Sequence, residues 1–124
     1  MASHGIRHVH LLVNEHDRAL AFYKDAFAMQ ELFRDGPIVF VGTPGGGDSL
    51  ALHLATTDDE RARVGHHGGF EHFGIHLRDR SLDSIDEVVR RVEKAGGSLL
   101  ERGEHAPGVP YAYVSDPDGY IIEL

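Results

Sequence analysis

The 124-residue sequence contains no cysteine. That excludes disulfides, thiolate metal ligands and a cysteine nucleophile, and it fits a cytoplasmic address. No stretch approaches the roughly 20 apolar residues of a membrane-spanning helix. Met1-Ala2-Ser3-His4-Gly5 lacks the apolar core of a secretory leader. Basic residues are scarce relative to acidic ones: 12 Lys and Arg against 20 Asp and Glu give a formal net charge of −8. Excess negative charge repels nucleic acid and anionic membrane, so neither is an expected partner. What remains is a chain of single-domain length, 41% hydrophobic and 26% charged, large enough to bury a core without covalent staples.

Histidine, by contrast, is abundant, with ten residues. His8, His10, His53, His72 and His76 all fall in strand-like segments. His8 and His72 share a context, Arg7-His8-Val9-His10-Leu11 and Glu71-His72-Phe73-Gly74-Ile75. His53, in Leu50-Ala51-Leu52-His53-Leu54, and Glu123, in Tyr120-Ile121-Ile122-Glu123-Leu124, lie near the ends of two halves. A duplicated unit, each copy supplying two inward ligands, explains this arrangement better than surface decoration.

The hydrophobic pattern supports the duplication. Gly5 to Asn14 alternates, with Val9, Leu11 and Val13 opposed to His8, His10 and Leu12, as in a strand with one face on a core. Residues 16–28 predict a helix: Leu20, Tyr23 and Phe27 form its stripe, broadened by Ala19, Phe22 and Ala26. Short strands are predicted over 30–34 and 37–42, split by the turn residues Asp35-Gly36-Pro37, and another over 49–55. Residues 56–69 read as a linker, with a helical turn at 58–63 and a flexible stretch in which His66 and His67 are solvated. The pattern then restarts. A strand over 71–77 opposes Phe73, Ile75 and Leu77 to His72, Gly74 and His76. A helix over 81–95 carries the stripe Leu82, Ile85, Val88, Val89 and Val92. Ser81 or Ser84 caps its start and Gly96-Gly97 stops it. Strands follow at 98–102, 110–114 and 119–124. The last has one residue after Glu123 and is expected to fray unless docked. The expected fold is α+β: one domain of two βαβββ modules, about 5–56 and 70–124, forming curved sheets around a metal-containing cavity.

Neutral imidazoles and a carboxylate on rigid strands are what a divalent metal requires. Two His and one carboxylate with open positions suit Fe(II), and also Ni, Zn, Co or Mn. The candidate ligands are the four residues His8, His53, His72 and Glu123. His10 and His76 share their face and read as bases, substrate donors or cavity lining. A buried Glu123 without a cation nearby would carry a high desolvation cost.

Two stretches give these residues a family context. Arg18-Ala19-Leu20-Ala21-Phe22-Tyr23-Lys24-Asp25-Ala26-Phe27 resembles the first helix of the vicinal oxygen chelate superfamily, which includes glyoxalase I, extradiol dioxygenases and bleomycin resistance proteins. Asp116-Pro117-Asp118-Gly119-Tyr120-Ile121-Ile122-Glu123 resembles that family's turn into its last strand. The resemblance spans nearly the whole chain and implies metal ligands at His8, His72 and Glu123. Position 53 resembles the one at which glyoxalase I carries a Glu that moves a proton; His53 departs from that pattern, and no glutathione anchor is evident. Tyr113 resembles the active-site Tyr of extradiol dioxygenases, and His105 their supporting His.

The resulting expectation is a metal-dependent enzyme acting on a small substrate with two neighbouring oxygens. An extradiol-type dioxygenase using Fe(II), with His53, Tyr113 and Glu123 as catalytic groups, is preferred. A glyoxalase-like lyase or isomerase is the first alternative, and a non-catalytic drug-binding protein the second. A fosfomycin-type transferase ranks lower, because basic residues for a phosphonate are not evident. Family habit and the apolar helix faces favour a homodimer, whose modules pair within one chain or between two.

Overall fold

The computed structural model describes residues 2–124. The first module runs β1 (Val9–Val13), α1 (His16–Phe27), β2 (Gln30–Asp35), β3 (Ile38–Gly42) and β4 (Leu50–Leu54). A linking helix, α2 (Asp58–Arg63), follows. The second module runs β5 (Phe73–Gly74), α3 (Leu82–Lys94), β6 (Ser98–Ala106), β7 (Val109–Ser115) and β8 (Ile121–Glu123). Each module builds a four-stranded sheet, in the orders β1-β4-β3-β2 and β5-β8-β7-β6. In each, the first strand pairs parallel with the last and the other pairings are antiparallel. The protein is thus an α+β duplication.

The alternation seen in the sequence decides which face of each sheet is covered. Leu11 and Val13 of β1, Leu50 and Leu52 of β4, Ala112 and Val114 of β7 and Ile122 of β8 all enter the core. Helix α1 adds Ala19, Phe22, Tyr23 and Ala26; α3 adds Ile85, Val88, Val89 and Val92. The helices also pack on one another, so both modules share one continuous core. A fully buried side chain such as Val92 or Phe22 contributes on the order of 1.5–3 kcal/mol. Close approach is needed at Gly97, where a Cβ would collide with the Ser115 carbonyl, Val92 and Phe22. Ser81 caps α3 by accepting from the Ser84 N–H at 3.2 Å. Ala28 ends α1 in the left-handed region at φ 57°, where its N–H reaches the Lys24 carbonyl.

Three strands differ from expectation. β1 begins at Val9 rather than Gly5, so His8 lies just before it. β5 is only Phe73–Gly74, not 71–77, because its parallel partner β8 is short and Phe73 and Gly74 alone find register with it. β6 extends to Ala106 rather than 102, pairing its polar end with β7 across the turn at Gly108. The last strand is docked: the Leu124 N–H donates to the Ala112 carbonyl at 2.8 Å, and Leu124 is buried.

The modules are tied by a buried polar junction. The Tyr23 hydroxyl on α1 donates to Asp116 Oδ2 at 2.7 Å, at the start of the β7–β8 turn. Asp116 Oδ1 accepts from the N–H groups of Asp118 and Tyr120 at 2.9 and 3.0 Å. The Tyr120 hydroxyl donates to the Leu12 carbonyl at 2.7 Å. Burial raises the Asp116 carboxyl above its ordinary range, while these donors oppose the rise. Tyr23→Phe keeps the ring and leaves the carboxylate short of a donor. It is expected to destabilise the fold by about 1–3 kcal/mol, read as a lower urea midpoint with unchanged slope.

Candidate metal and catalytic site

The uncovered faces of the two sheets carry the polar residues. On the first, the β1–β4 register pairs His10 with Ala51 and Leu12 with His53, so His10 and His53 are diagonal neighbours. His10 Nε2 lies 2.9 Å from His53 Nδ1. His53 Nε2 in turn faces Glu60 Oε2 of α2 at 3.6 Å. His8 stands next along the face, its ring 6.3 Å from that of His10 and edge-on to Phe40. A cavity of about 530 Å³ opens here, lined by His10, Leu12, His53, Glu60, Arg63 and Phe70 among others. Burial first, then the imidazoles of His53 and His8, lower the pKa of His10, which favours its neutral form. Glu60 is held below the usual carboxylate range, chiefly by the Thr56 backbone N–H.

On the second sheet, Tyr113 and Glu123 are direct cross-strand partners. Glu123 Oε2 lies 3.1 Å from His72 Nε2, and Oε1 lies 3.4 Å from His105 Nε2. Tyr113 meets His72 edge-to-face at 5.0 Å. His105 stacks on Tyr111 at 4.3 Å. Burial, and next the Glu123 carboxylate, raise the pKa of the Tyr113 phenol.

The residues singled out in the sequence therefore fall into two groups. His8, His10 and His53 occupy the first sheet; His72, Tyr113, His105 and Glu123 occupy the second. His76 stands apart from both, lining a groove of about 540 Å³ that also touches His8. His67 is half-buried rather than solvated, with its ring against Tyr120 and Nδ1 3.2 Å from the Glu71 carbonyl. Among the described residues, no three His, Asp or Glu side chains converge to hold a metal ion. Each half is nonetheless of the right kind. Two ligands of a tetrahedral metal at about 2.1 Å lie about 3.4 Å apart, and His72 and Glu123, 3.1 Å apart, are within reach of that spacing. Glu60 was not a candidate from the sequence. Its signal was the Thr57-Asp58-Asp59-Glu60 capping box, which fixes the carboxylate beside His53.

Comparison with known proteins agrees with this architecture. Residues 5–124 match the Glyoxalase/Bleomycin resistance protein/Dioxygenase superfamily, and the chain belongs to it. It is 34% identical over 126 residues to a lactoylglutathione lyase of Neisseria meningitidis, covering 94% of this chain and 86% of that protein. A glyoxalase-related enzyme from Fulvimarina pelagi superposes with a TM-score of 0.74 at 25% identity, covering 98% of this chain and 86% of that one. The same fold appears in a fosfomycin resistance protein of Listeria monocytogenes complexed with Mn(II) and a dihydroxypropylphosphonic acid. The TM-score is 0.73 at 19% identity, over 99% of this chain and 90% of that one. Among the described residues, no helix is long and apolar enough to cross a membrane.

The coupling between Tyr113 and Glu123 can be measured. Glu123→Gln removes the anion but leaves the burial. The Tyr113 midpoint is then expected to fall towards, without reaching, the ordinary tyrosine value. Spectrophotometric titration identifies the group by comparison with Tyr113→Phe; an unmoved midpoint would mean that Glu123 does not face the phenol.

Proposed function

We propose that this protein is a divalent-metal-dependent enzyme of the glyoxalase-like lyase or isomerase type, acting on a small substrate with two neighbouring oxygens. The observation that carries this reading is the placement of the donors. His72 and Glu123 sit 3.1 Å apart on one open sheet face, and His8 and His53 sit on the other. The helices lie on the covered sides, so neither pair completes the other within the chain. In this reading a second copy completes the site: His8 and His53 of one protomer face His72 and Glu123 of its partner. Exposed apolar groups on these sheets suit such an interface, including Phe33, stacked on Phe40 at 4.4 Å, and Leu99, Leu100 and Val109.

His8, His72 and Glu123 would hold the metal, with Ni, Zn, Co, Mn or Fe(II) all suited to such donors. When bound, the metal supplies Lewis-acid polarisation of the substrate oxygens. His53 takes the proton from the hydroxyl-bearing carbon beside the substrate carbonyl and returns it to the carbonyl carbon, while the hydroxyl proton passes to the former carbonyl oxygen. The net change is an isomerisation that consumes no redox equivalent. His10, held neutral, is the acceptor or donor next in line to His53. The likeness to lactoylglutathione lyases supports this choice over the dioxygenase preferred from the sequence. The departure at position 53 argues for a substrate other than that enzyme's. The dioxygenase remains a second reading because the Tyr113 ring lies against His72 with Glu123 beside it. The absence of cysteine supports a cytoplasmic address.

Metal analysis by mass spectrometry, on untagged protein never exposed to a nickel column, tests the first part. Near-stoichiometric metal is expected in the wild type and its loss in Glu123→Ala. Nickel or zinc would direct assays to isomerase and lyase substrates, iron to oxygen consumption with catechols. No metal, or metal indifferent to Glu123, would sink the assignment and favour a drug-binding protein. Subunit sharing has its own test. Mixing His8→Ala with Glu123→Ala, each inactive alone, creates one intact site per mixed dimer and restores activity. A site built within one chain gives no recovery.

A further inference from the structure

Glu60 has two carboxylate oxygens in two different situations. Oε1 accepts from the Thr56 N–H, the Thr56 hydroxyl and the Thr57 N–H at 3.0, 3.1 and 3.2 Å. Thr57 returns the bond by accepting from the Glu60 N–H at 3.1 Å. This reciprocal cap starts α2 and fixes the side chain. Oε2 takes no part in it. It is aimed at His53 Nε2, 3.6 Å away, and both side chains are largely buried, at 24% and 19% exposure for His53 and Glu60.

We infer that Glu60 is a positioning residue for His53: it holds the imidazole with Nε2 turned to α2 and so keeps Nδ1, which faces His10 at 2.9 Å, unprotonated. The inference rests on the reading of His53 as a working residue of the site. The physical reason is the chemistry of the partners. A carboxylate only accepts hydrogen bonds, and a neutral imidazole has one donor and one acceptor nitrogen. An anion fixed on the Nε2 side favours the proton there. At 3.6 Å the contact is longer than a hydrogen bond, so Glu60 acts through its field as much as through contact. The opposite nitrogen is then free to accept, and His10 Nε2 lies 2.9 Å from it. Whether His53 serves as ligand or as base, it needs that nitrogen unprotonated. The helix cap and the imidazole orientation are thus set by one side chain.

The test is the tautomer of His53, read by long-range proton–nitrogen correlation on metal-free protein above the imidazole titration range. The wild type is expected to carry its proton on Nε2. In Glu60→Gln the amide oxygen still caps α2, but the amide NH2 now points towards Nε2. His53 is expected to switch its proton to Nδ1, with helix content and melting temperature unchanged. Affinity for Zn(II) alone is expected to fall about 10–100-fold, the usual effect of losing a group that orients a ligand. A wild-type proton on Nδ1 would overturn the inference, as would a tautomer indifferent to Glu60→Gln; Glu60 would then be a helix cap and nothing more. If Glu60→Gln fails to fold, the wild-type spectrum still decides. A tautomer switch in a protein that binds no metal would uphold the positioning role and remove the metal-enzyme reading.

Discussion

The hydrogen bond between Tyr23 and Asp116 sits where the two modules meet, and much of the geometry follows from it. A carboxylate in a core is costly unless its acceptors are filled. Asp116 meets that condition with the Tyr23 hydroxyl and two backbone N–H groups of its own turn. Those bonds set the shape of the turn, which sets where β8 begins and hence where Glu123 points. The same turn reaches back to the first module three times more. The Asn14 N–H and Arg18 donate to Asp118 at 3.2 and 2.8 Å, and Tyr120 donates to the carbonyl of Leu12, on the strand that carries His10. The two stretches that most resemble the superfamily are therefore the two sides of one junction. Each needs the other's chemistry to be buried at all.

With both helices enclosed, the polar faces of the sheets are left looking outwards. Alternation along a strand assigns a residue to the core or to the open face, and here it puts the potential donors on the open face beside a few apolar groups such as Leu12 and Phe40. The core face of β7 holds Ala112 and Val114, while Tyr111 and Tyr113 stand on the other. In the proposed reading, this division leaves each open face with only part of a metal site. The metal-type donors are grouped in pairs because each sheet has only one parallel seam, β1–β4 or β5–β8, to bring its first and last strands together.

The sequence was most legible where burial imposed a period. The stripes of α1 and α3 and the alternation of β4 appeared at nearly their observed limits, because each has one face in the core. It was least legible where neither face is covered. The polar end of β6, through Glu104 and His105, is held by backbone pairing to β7, which leaves no hydrophobic trace. The short β5 erred in the other direction, since alternation from Glu71 to Leu77 continues beyond the residues that find a partner. Within the site, alternation placed His8 and His10 on one face but could not say which meets His53. That depends on parallel register, a long-range property. Glu60 escaped notice for a related reason: its importance comes from α2 turning back over β4, which a local capping signal does not reveal.

The continuity of the core across both modules has a further consequence. Phe22, Ile85, Val92 and Ile122 belong to one buried cluster closed within a single chain. Association with a second copy therefore adds surface contacts without supplying any missing part of the interior. In the proposed dimer such a chain would fold before it finds its partner. Dilution would then separate the two chains and leave each intact, so loss of function and loss of structure would be governed by different equilibria, one set by concentration and the other by the core.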